Sequence, residues 1–258
     1  MLLLHLGVFQ LDVDSKQATL WHSLAPRTRL LCALLMVFAI ALTPNGHWWT
    51  WAIYGLGVLG LAFLSRVTKT VLLKRIVVEF AFIAVVLLGT LFREGGEVVW
   101  SWGVLRITTE GLTVLGSVTI KALLSLLMLN LLTLTTSVPA LLNALTALKV
   151  PPLLVATLAS MYRYINVLVR EFQAMRKAAA SRNLSKDNVW QRFVIGNMMG
   201  SLFIRTYERG ERVYQAMLAR GYQGVPVVEK TPTGVRKDAI ALTLTLVFAL
   251  IGQAVYLS

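Results

Sequence analysis

Five long apolar runs constrain this chain more than any other feature of its sequence. They lie at about residues 28–43, 47–66, 75–93, 107–137 and 238–258. Crossing a hydrocarbon core takes roughly 17–25 apolar residues of helix, because lipid offers no partners for exposed backbone groups. The composition agrees, since 57% of the residues are hydrophobic and 14% are charged, unlike ordinary soluble domains. The sequence predicts an integral membrane protein with five spanning helices.

The positive charges predict how those helices are oriented. The formal net charge is +13, and residues 137–237 alone carry 15 Lys/Arg against 5 Asp/Glu. Cytoplasmic loops of helical membrane proteins collect Lys and Arg. We therefore expect a cytoplasmic N-terminus, a cytoplasmic 137–237 segment and an external C-terminus. The same rule explains the basic charge, so no nucleic-acid partner is expected.

The residues that commonly build catalytic or metal centres are few and scattered. Cys32 is the single cysteine and lies in an apolar run, so a buried small hydrophobe is expected. The three histidines, His5, His22 and His47, have no companions at ligand spacing. No catalytic residues, no metal ligands and no cofactor-binding residues are predicted in this chain. The first residues lack a basic n-region, so no secretory signal peptide is expected.

The segment 137–237 is predicted to hold helices that lie outside the main spans. It separates a membrane domain, 1–136, from a final transmembrane helix, 238–258. "SVPALLNALTALKVPP" is typical of a short amphipathic helix that ends before Pro151. Two long helices follow, one from the proline pair to Arg182 and one over about 189–220. Apolar residues at helical spacing predict that these two helices pack on each other, on the bilayer or on a partner.

Each long helix is predicted to stop directly after an arginine. Gly221 follows Arg220, and glycine at this position adopts the left-handed conformation that ends a helix. Asn183 follows Arg182 and acts in the same way. "QAM" precedes both arginines, at 173–175 and 215–217. An arginine in a last turn also stabilises its own helix through the dipole, so packing of the two helices alone remains an alternative.

The stretches "MYRYINVLVREFQAMRKAAASRN" and "GSLFIRTYERGERVYQAMLARGY" resemble the transmembrane T component of energy-coupling factor transporters. The closest similarity is to the CbiQ-like proteins of the cobalt and nickel branch. The resemblance covers the whole order of spans, helical insert and closing span, and its specific motifs lie within about 160–222. It implies an all-α, polytopic helical membrane protein with long crossed cytoplasmic coupling helices, in the cytoplasmic membrane of a prokaryote.

The same resemblance implies which residues meet which partners. In that family each coupling helix ends in an Ala-Arg-Gly motif that docks on one ATP-binding-cassette ATPase subunit. The second motif is intact here, and the first keeps its arginine with Ser and Asn at the flanking positions. The implied docking residues are Ser181, Arg182, Asn183, Ala219, Arg220 and Gly221. The implied partners are two ATPase subunits, a substrate-binding integral membrane subunit and the lipid bilayer.

Two other classes of function compete with this interpretation. The main interpretation needs partner subunits that hydrolyse ATP, because this chain contains no P-loop sequence. A self-contained secondary transporter or channel would be expected to place ionisable groups along a path at mid-membrane, where only Lys121 is deep and Glu79 is shallower. A membrane enzyme would be expected to show a cluster of catalytic residues. The cargo implied by the resemblance is cobalt or nickel, with a shared T component for vitamin uptake as the alternative.

Overall fold

The computed structural model describes residues 19, 21–65, 67, 69–90, 98–102, 105–182, 188–222 and 235–257. Its contacts divide the chain into two compact units. Unit 1 comprises Met1–Ala144 with Thr231–Ser258, and unit 2 comprises Leu145–Lys230. The domain boundaries predicted from the sequence, at 136/137 and 237/238, remain predictions.

In its described residues, unit 1 is a bundle of five long helices with a small hairpin and most of one short helix. The long helices are α1 (Pro26–Leu42), α2 (Trp48–Leu64), α3 (Lys69–Thr90), α4 (Thr109–Thr135) and α8 (Val235–Leu257). Helix α4 contacts α1, α2 and α3, while α8 contacts α1 and α2. The core side chains with the least exposure include Met36, Ile40, Tyr54, Met128 and Leu131. The predicted fold class, a helical polytopic membrane protein, is confirmed.

Helices α1 and α8 run parallel along their whole shared length. Three bonds join them at intervals of seven or eight residues: Ala25 N to Asp238 Oδ1 at 3.0 Å, Thr245 Oγ1 to Cys32 Sγ at 3.5 Å, and Gln253 Nε2 to Ala39 O at 3.0 Å. Cys32 is fully buried in this contact, as its apolar surroundings predict. The repeated spacing fixes one register for the pair.

Helix α4 runs opposite to both α1 and α3. Arg29 Nη1 donates to Thr135 O at 2.8 Å near one end of α1, and Gly46 N donates to Ser117 Oγ at 3.0 Å just past its other end. On α3, Asn130 Nδ2 donates to Glu79 Oε2 at 2.8 Å and Arg75 Nη1 donates to Thr133 Oγ1 at 3.2 Å. The starts of α1, α3 and α8 therefore share one side of unit 1 with the end of α4; this is the Arg29 side.

Arg29 itself is buried beneath the first turn of α1. It is 8% exposed, and its guanidinium donates to the carbonyls of His22, Leu24 and Thr135. Trp21 Nε1 adds a bond to Thr135 Oγ1 at 3.0 Å. The carbonyl of Thr135 belongs to the last turn of α4, where no helical N–H is left to bind it. Arg29 thus ties the end of α4 to the segment that leads into α1.

The first apolar runs form helices whose lengths differ from the predicted spans. Three described helices are long and apolar enough to cross a membrane, by length and composition: Thr109–Thr135, Pro152–Ser181 and Arg236–Ala254. Helices α1 and α2 have 17 residues each, about 25 Å of helix, which is near the lower limit for a span. The count of five spans remains a prediction.

Helix α3 begins earlier than the sequence predicts. The expected start was residue 75, whereas the helix begins at Lys69, because "KTVLLK" consists largely of residues with adequate helix propensity. A helix that starts at residue 75 would place Glu79 about one turn inside it, and this prediction is wrong. It lies roughly three turns from the start, where Asn130 of α4 binds its carboxylate.

A two-stranded hairpin occupies part of the segment between α3 and α4. Strand β1 (Val98–Trp102) pairs antiparallel with β2 (Leu105–Thr108), with an irregularity between Val98 and Trp100. The sequence predicts only a loop here. Aromatic and β-branched residues are frequent in both strands, and such residues favour extended backbone.

Unit 2 is built mainly from two long helices, α6 (Pro152–Ser181) and α7 (Asn188–Ala219). The short helix α5 (Val138–Ala147) precedes them and ends before Pro151, as predicted. Its end is closed by Lys149, which takes a left-handed φ of 63°. Lys149 N bonds Thr146 O and Val150 N bonds Leu145 O, which is the pattern of a Schellman motif.

Candidate partner interface

The end of α7 has the geometry that its sequence predicts. Gly221 has φ 80°, the left-handed region. Gly221 N donates to Leu218 O at 2.9 Å and Tyr222 N donates to Met217 O at 3.0 Å. These two bonds form a Schellman motif, in which the residue after the last turn reverses the chain and satisfies the free carbonyls. The predicted helix stop at Gly221 is confirmed.

The side chains at this end are presented to solvent. Ala219, Arg220 and Gly221 are all exposed. Among the residues that the structure describes, no carboxylate lies within salt-bridge distance of Arg220. Its guanidinium therefore keeps five donors in a rigid fork for groups outside the described part of the chain.

The end of α6 also presents an arginine. The helix ends at Ser181, and Arg182 caps it with φ −89° and ψ 11°. The Arg182 backbone N–H bonds to Ala178 and Ala179 carbonyls, and Ser181 Oγ donates to Lys177 O at 3.1 Å. Ser181 and Arg182 are exposed. Asn183 lies outside the described residues, so its predicted role in this helix stop remains a prediction.

Helices α6 and α7 pack in opposite directions. Near the end of α6, Met175 and Arg182 line a cavity of about 320 Å³ together with residues 194–205 of α7. Nearer the middle of α6, Tyr164 and Leu168 line a cavity of about 180 Å³ with residues 206–210 of α7. Later residues of α6 thus meet earlier residues of α7, and the pair is antiparallel.

This antiparallel packing places the two arginines at opposite ends of the helix pair. Arg182 lies at the end of α6 that meets the first half of α7. Beyond Gly210, residues 211–219 of α7 are exposed except for the half-buried Val213. Those nine residues extend about 14 Å at 1.5 Å per residue. We call the two exposed ends the Arg182 tip (Ser181 and Arg182) and the Arg220 tip (Ala219, Arg220 and Gly221).

One carboxylate joins the two helices between the cavities. Glu171 of α6 accepts Arg209 Nη2 at 3.0 Å and lies 3.8 Å from Arg205 Nη1, both on α7. Glu171 is 17% exposed, whereas Arg209 and Arg205 are 37% and 59% exposed. The sequence does not predict this contact. Glu171 is the only acidic residue of α6 and four arginines lie on α7, but composition does not say which of them it meets.

The two ionisable residues singled out in the membrane unit have partners within that unit. Lys121 Nζ lies 5.4 Å from the centroid of the Trp51 ring, a cation–π distance, and Glu79 is bound by Asn130. Within the described ranges, no group of three or more His, Cys, Asp or Glu residues is placed to hold a metal ion. The predicted absence of metal and cofactor sites remains a prediction.

Comparison with known proteins gives consistent matches over most of the chain. The family model described as "CbiQ: Cobalt transport protein" matches residues 17–232. A Bacillus subtilis protein named "Energy-coupling factor transporter transmembrane protein EcfT" is 31% identical over 222 residues, which cover 80% of this chain and 82% of that protein. These names describe transmembrane transport proteins and name no enzymatic activity.

Two further relatives carry similar names. The Listeria monocytogenes protein "Energy-coupling factor transporter transmembrane protein EcfT 1" is 28% identical over 80% of this chain and 81% of its own length. A Streptococcus thermophilus relative, named as an energy-coupling factor transporter transmembrane protein, is 31% identical over 79% of this chain and 81% of its own length. The matches therefore extend well beyond the two tips.

Proposed function

This chain belongs to the CbiQ family of cobalt transport proteins, and we propose that it is the coupling subunit of an energy-coupling factor importer. It is a non-catalytic membrane component of a transport complex. In our proposal it passes the movement of two ATPase subunits to a separate membrane subunit that binds the cargo. The predicted alternative of a self-contained transporter or channel gains no support from Lys121 and Glu79, because both have partners inside the bundle.

The observation that carries this proposal is the pair of exposed arginine tips on one antiparallel helix pair. Each tip combines an arginine guanidinium, which donates hydrogen bonds to carboxylates and carbonyls, with the C-terminal end of a helix. That end carries a partial negative charge and attracts cations and hydrogen-bond donors. Two tips at opposite ends suit two separate ATPase subunits. Burying one such arginine against a carboxylate of a partner gives a contact whose loss costs about 2–5 kcal/mol.

The mechanics follow from the stiffness of long helices. When ATP closes the two ATPases, each tip moves with the subunit on which it docks. Helices α6 and α7 span 30 and 32 residues, about 45 Å each at 1.5 Å per residue. Motion at the tips is thereby carried over a distance larger than the hydrocarbon core, to the partner that holds the cargo.

The cargo we propose is a cobalt or nickel ion, bound by the separate membrane subunit. The description of the matching family supports a metal ion, while the names of the relatives state no cargo. Uptake of labelled cobalt, nickel and vitamins by cells with and without this chain tests the assignment. Cells without this chain are expected to lose metal uptake alone. If they lose vitamin uptake alone, the cargo is a vitamin and not a metal ion.

We propose that the Arg29 side faces the cytoplasm of a prokaryotic cell. Arg27, Lys74, Arg75, Arg236 and Lys237 lie at or near the helix ends of that side, in agreement with the positive-inside rule. The test uses single cysteines in a Cys32→Ala background. An impermeant thiol reagent is expected to label Asn45→Cys in intact cells and Lys177→Cys only in opened cells; the reverse pattern would invert the orientation.

Charge reversal at the tips tests the docking role. The double variant Arg182→Glu, Arg220→Glu is expected to lose its ATPase subunits on purification, because each contact turns from attraction into repulsion, and to lose uptake. The matched control reverses two exposed arginines away from the tips, Arg163→Glu and Arg176→Glu. ATPase subunits that stay bound to the tip variant, with uptake intact, would refute the proposal.

A further inference from the structure

Glu171 forms the salt bridges that join the two long helices of unit 2. It is the one carboxylate of the described α6–α7 contact, and it faces two arginines of α7 at 3.0 and 3.8 Å. The two cavities, of about 320 and 180 Å³, lie on either side of it. Both openings interrupt the side-chain contact between the helices, and dispersion alone sets a register poorly where neighbouring atoms are missing.

The spacing of the two arginines defines the possible registers. Arg205 and Arg209 are four residues apart, so their side chains project from the same face of α7, about one turn or 6 Å apart along the axis. A carboxylate accepts hydrogen bonds from both when it lies between them. Sliding α7 by a turn in either direction would leave Glu171 beside one of these two arginines and carry it away from the other.

We propose that Glu171 is a positioning residue that fixes the register of α6 against α7, and with it the separation of the two arginine tips. This inference rests on the proposed function, in which the tips are where force enters. A pair of helices with a fixed register moves as one body when one tip is pushed. If α6 and α7 slide against each other, part of the movement of the ATPases is lost in that sliding and does not reach the cargo subunit.

Without the Glu171 carboxylate, the complex is expected to go on hydrolysing ATP while it transports less cargo. In Glu171→Gln the carboxylate charge is removed while side-chain size is kept. Arg182 and Arg220 are unchanged, so the ATPase subunits are expected to co-purify and to hydrolyse ATP. Uptake per ATP hydrolysed is expected to fall on the order of tenfold, the size of a typical coupling between sites.

A distance measurement on this chain alone tests the register directly. Spin labels at Lys177→Cys and Ala216→Cys, both exposed and both in unit 2, report the separation near the two tips in a Cys32→Ala background. Glu171→Gln is expected to broaden or shift the distance distribution. The control is Glu208→Gln, because the salt bridge of Glu208 among the described residues is within α7, with Arg212 at 4.0 Å, and both side chains are well exposed.

The outcomes separate this inference from the function on which it rests. Glu171→Gln that matches Glu208→Gln in both distance distribution and uptake per ATP overturns the positioning role. Release of the ATPases from Glu171→Gln also overturns it, since that result assigns Glu171 to folding or docking. Failure of the proposed function appears elsewhere, as ATPases that remain bound when both tip arginines are reversed.

Discussion

At the scale of single residues, backbone conformation at two helix ends illustrates what sequence does and does not reveal. Gly221 has φ 80° and Lys149 has φ 63°. Glycine after an arginine-tipped helix predicts the first, because glycine alone enters this region without steric cost. Nothing in the sequence predicts the second, since lysine carries a Cβ that disfavours it. There the hydrogen bonds of the turn and the following prolines set the conformation.

Replacing Gly221 by alanine is expected to destabilise the end of α7. A Cβ at Gly221 would meet no atom within 4 Å, so the whole cost is conformational, about 1 kcal/mol. The matched control is Gly200→Ala in the same helix, where space is equally open and alanine is expected to stabilise by about 0.5–1 kcal/mol. Thermal unfolding in detergent measures both. If both substitutions change the melting temperature by the same amount in the same direction, the left-handed conformation of Gly221 is contradicted.

The proposed docking residues and the residue proposed to position them differ in how far the sequence reveals them. Arg220 precedes Gly221, which ends α7, and Arg182 precedes Asn183, which is predicted to end α6, so a local pattern points to both arginines. Glu171 owes its place to two residues that are more than 30 positions away on another helix. Only the register of α6 against α7 shows which arginines it meets, and register depends on packing rather than on local sequence.

At the scale of elements, the membrane unit depends on close approach at small residues. A Cβ on Gly57 of α2 would collide with the Phe248 ring of α8, and a Cβ on Gly252 of α8 would collide with the Tyr54 ring. Small residues allow membrane helices to approach closely. Tyr54 then reaches across and donates a hydrogen bond to Ala249 O at 3.1 Å.

Two glycines on the same helix give a direct test of this contact. Gly57→Ala is expected to cost about 1–3 kcal/mol, because the α2–α8 contact has to open or its side chains have to leave their preferred rotamers. Gly60→Ala, one turn further along α2, has nothing within 4 Å of its added methyl group and is expected to be neutral or stabilising. A melting temperature that falls as much for Gly60→Ala would contradict the placement of α8 on α2.

The sequence predicts the helices of this protein better than their ends. Apolar runs locate α1, α2, α4 and α8 because lipid imposes a minimum apolar length. The start of α3 is misjudged because Lys69 and Lys74 interrupt the apolar pattern without interrupting the helix. The β1–β2 hairpin is missed because its strands are short and lie between longer apolar elements.

At the scale of the whole molecule, the two compact units differ in how they are built. Unit 1 packs α4 against three neighbours and ties its ends with buried polar groups such as Arg29. Unit 2 is a pair of long helices with exposed basic tips and two cavities. Under the proposed function, unit 2 would receive the movement of the ATPases at its tips, and unit 1 would be the part embedded in the membrane.

The most direct test of the central claim is a photo-crosslinking measurement on the assembled complex. A photoreactive residue replaces Ala219 or Ser181 at the tips, and Leu112, exposed near the start of α4, serves as the control. If the tips dock on the ATPases, both tip positions form adducts with the ATPase subunits and position 112 forms none. Tip positions that yield no ATPase adduct, in a complex that still transports its cargo, would contradict that docking.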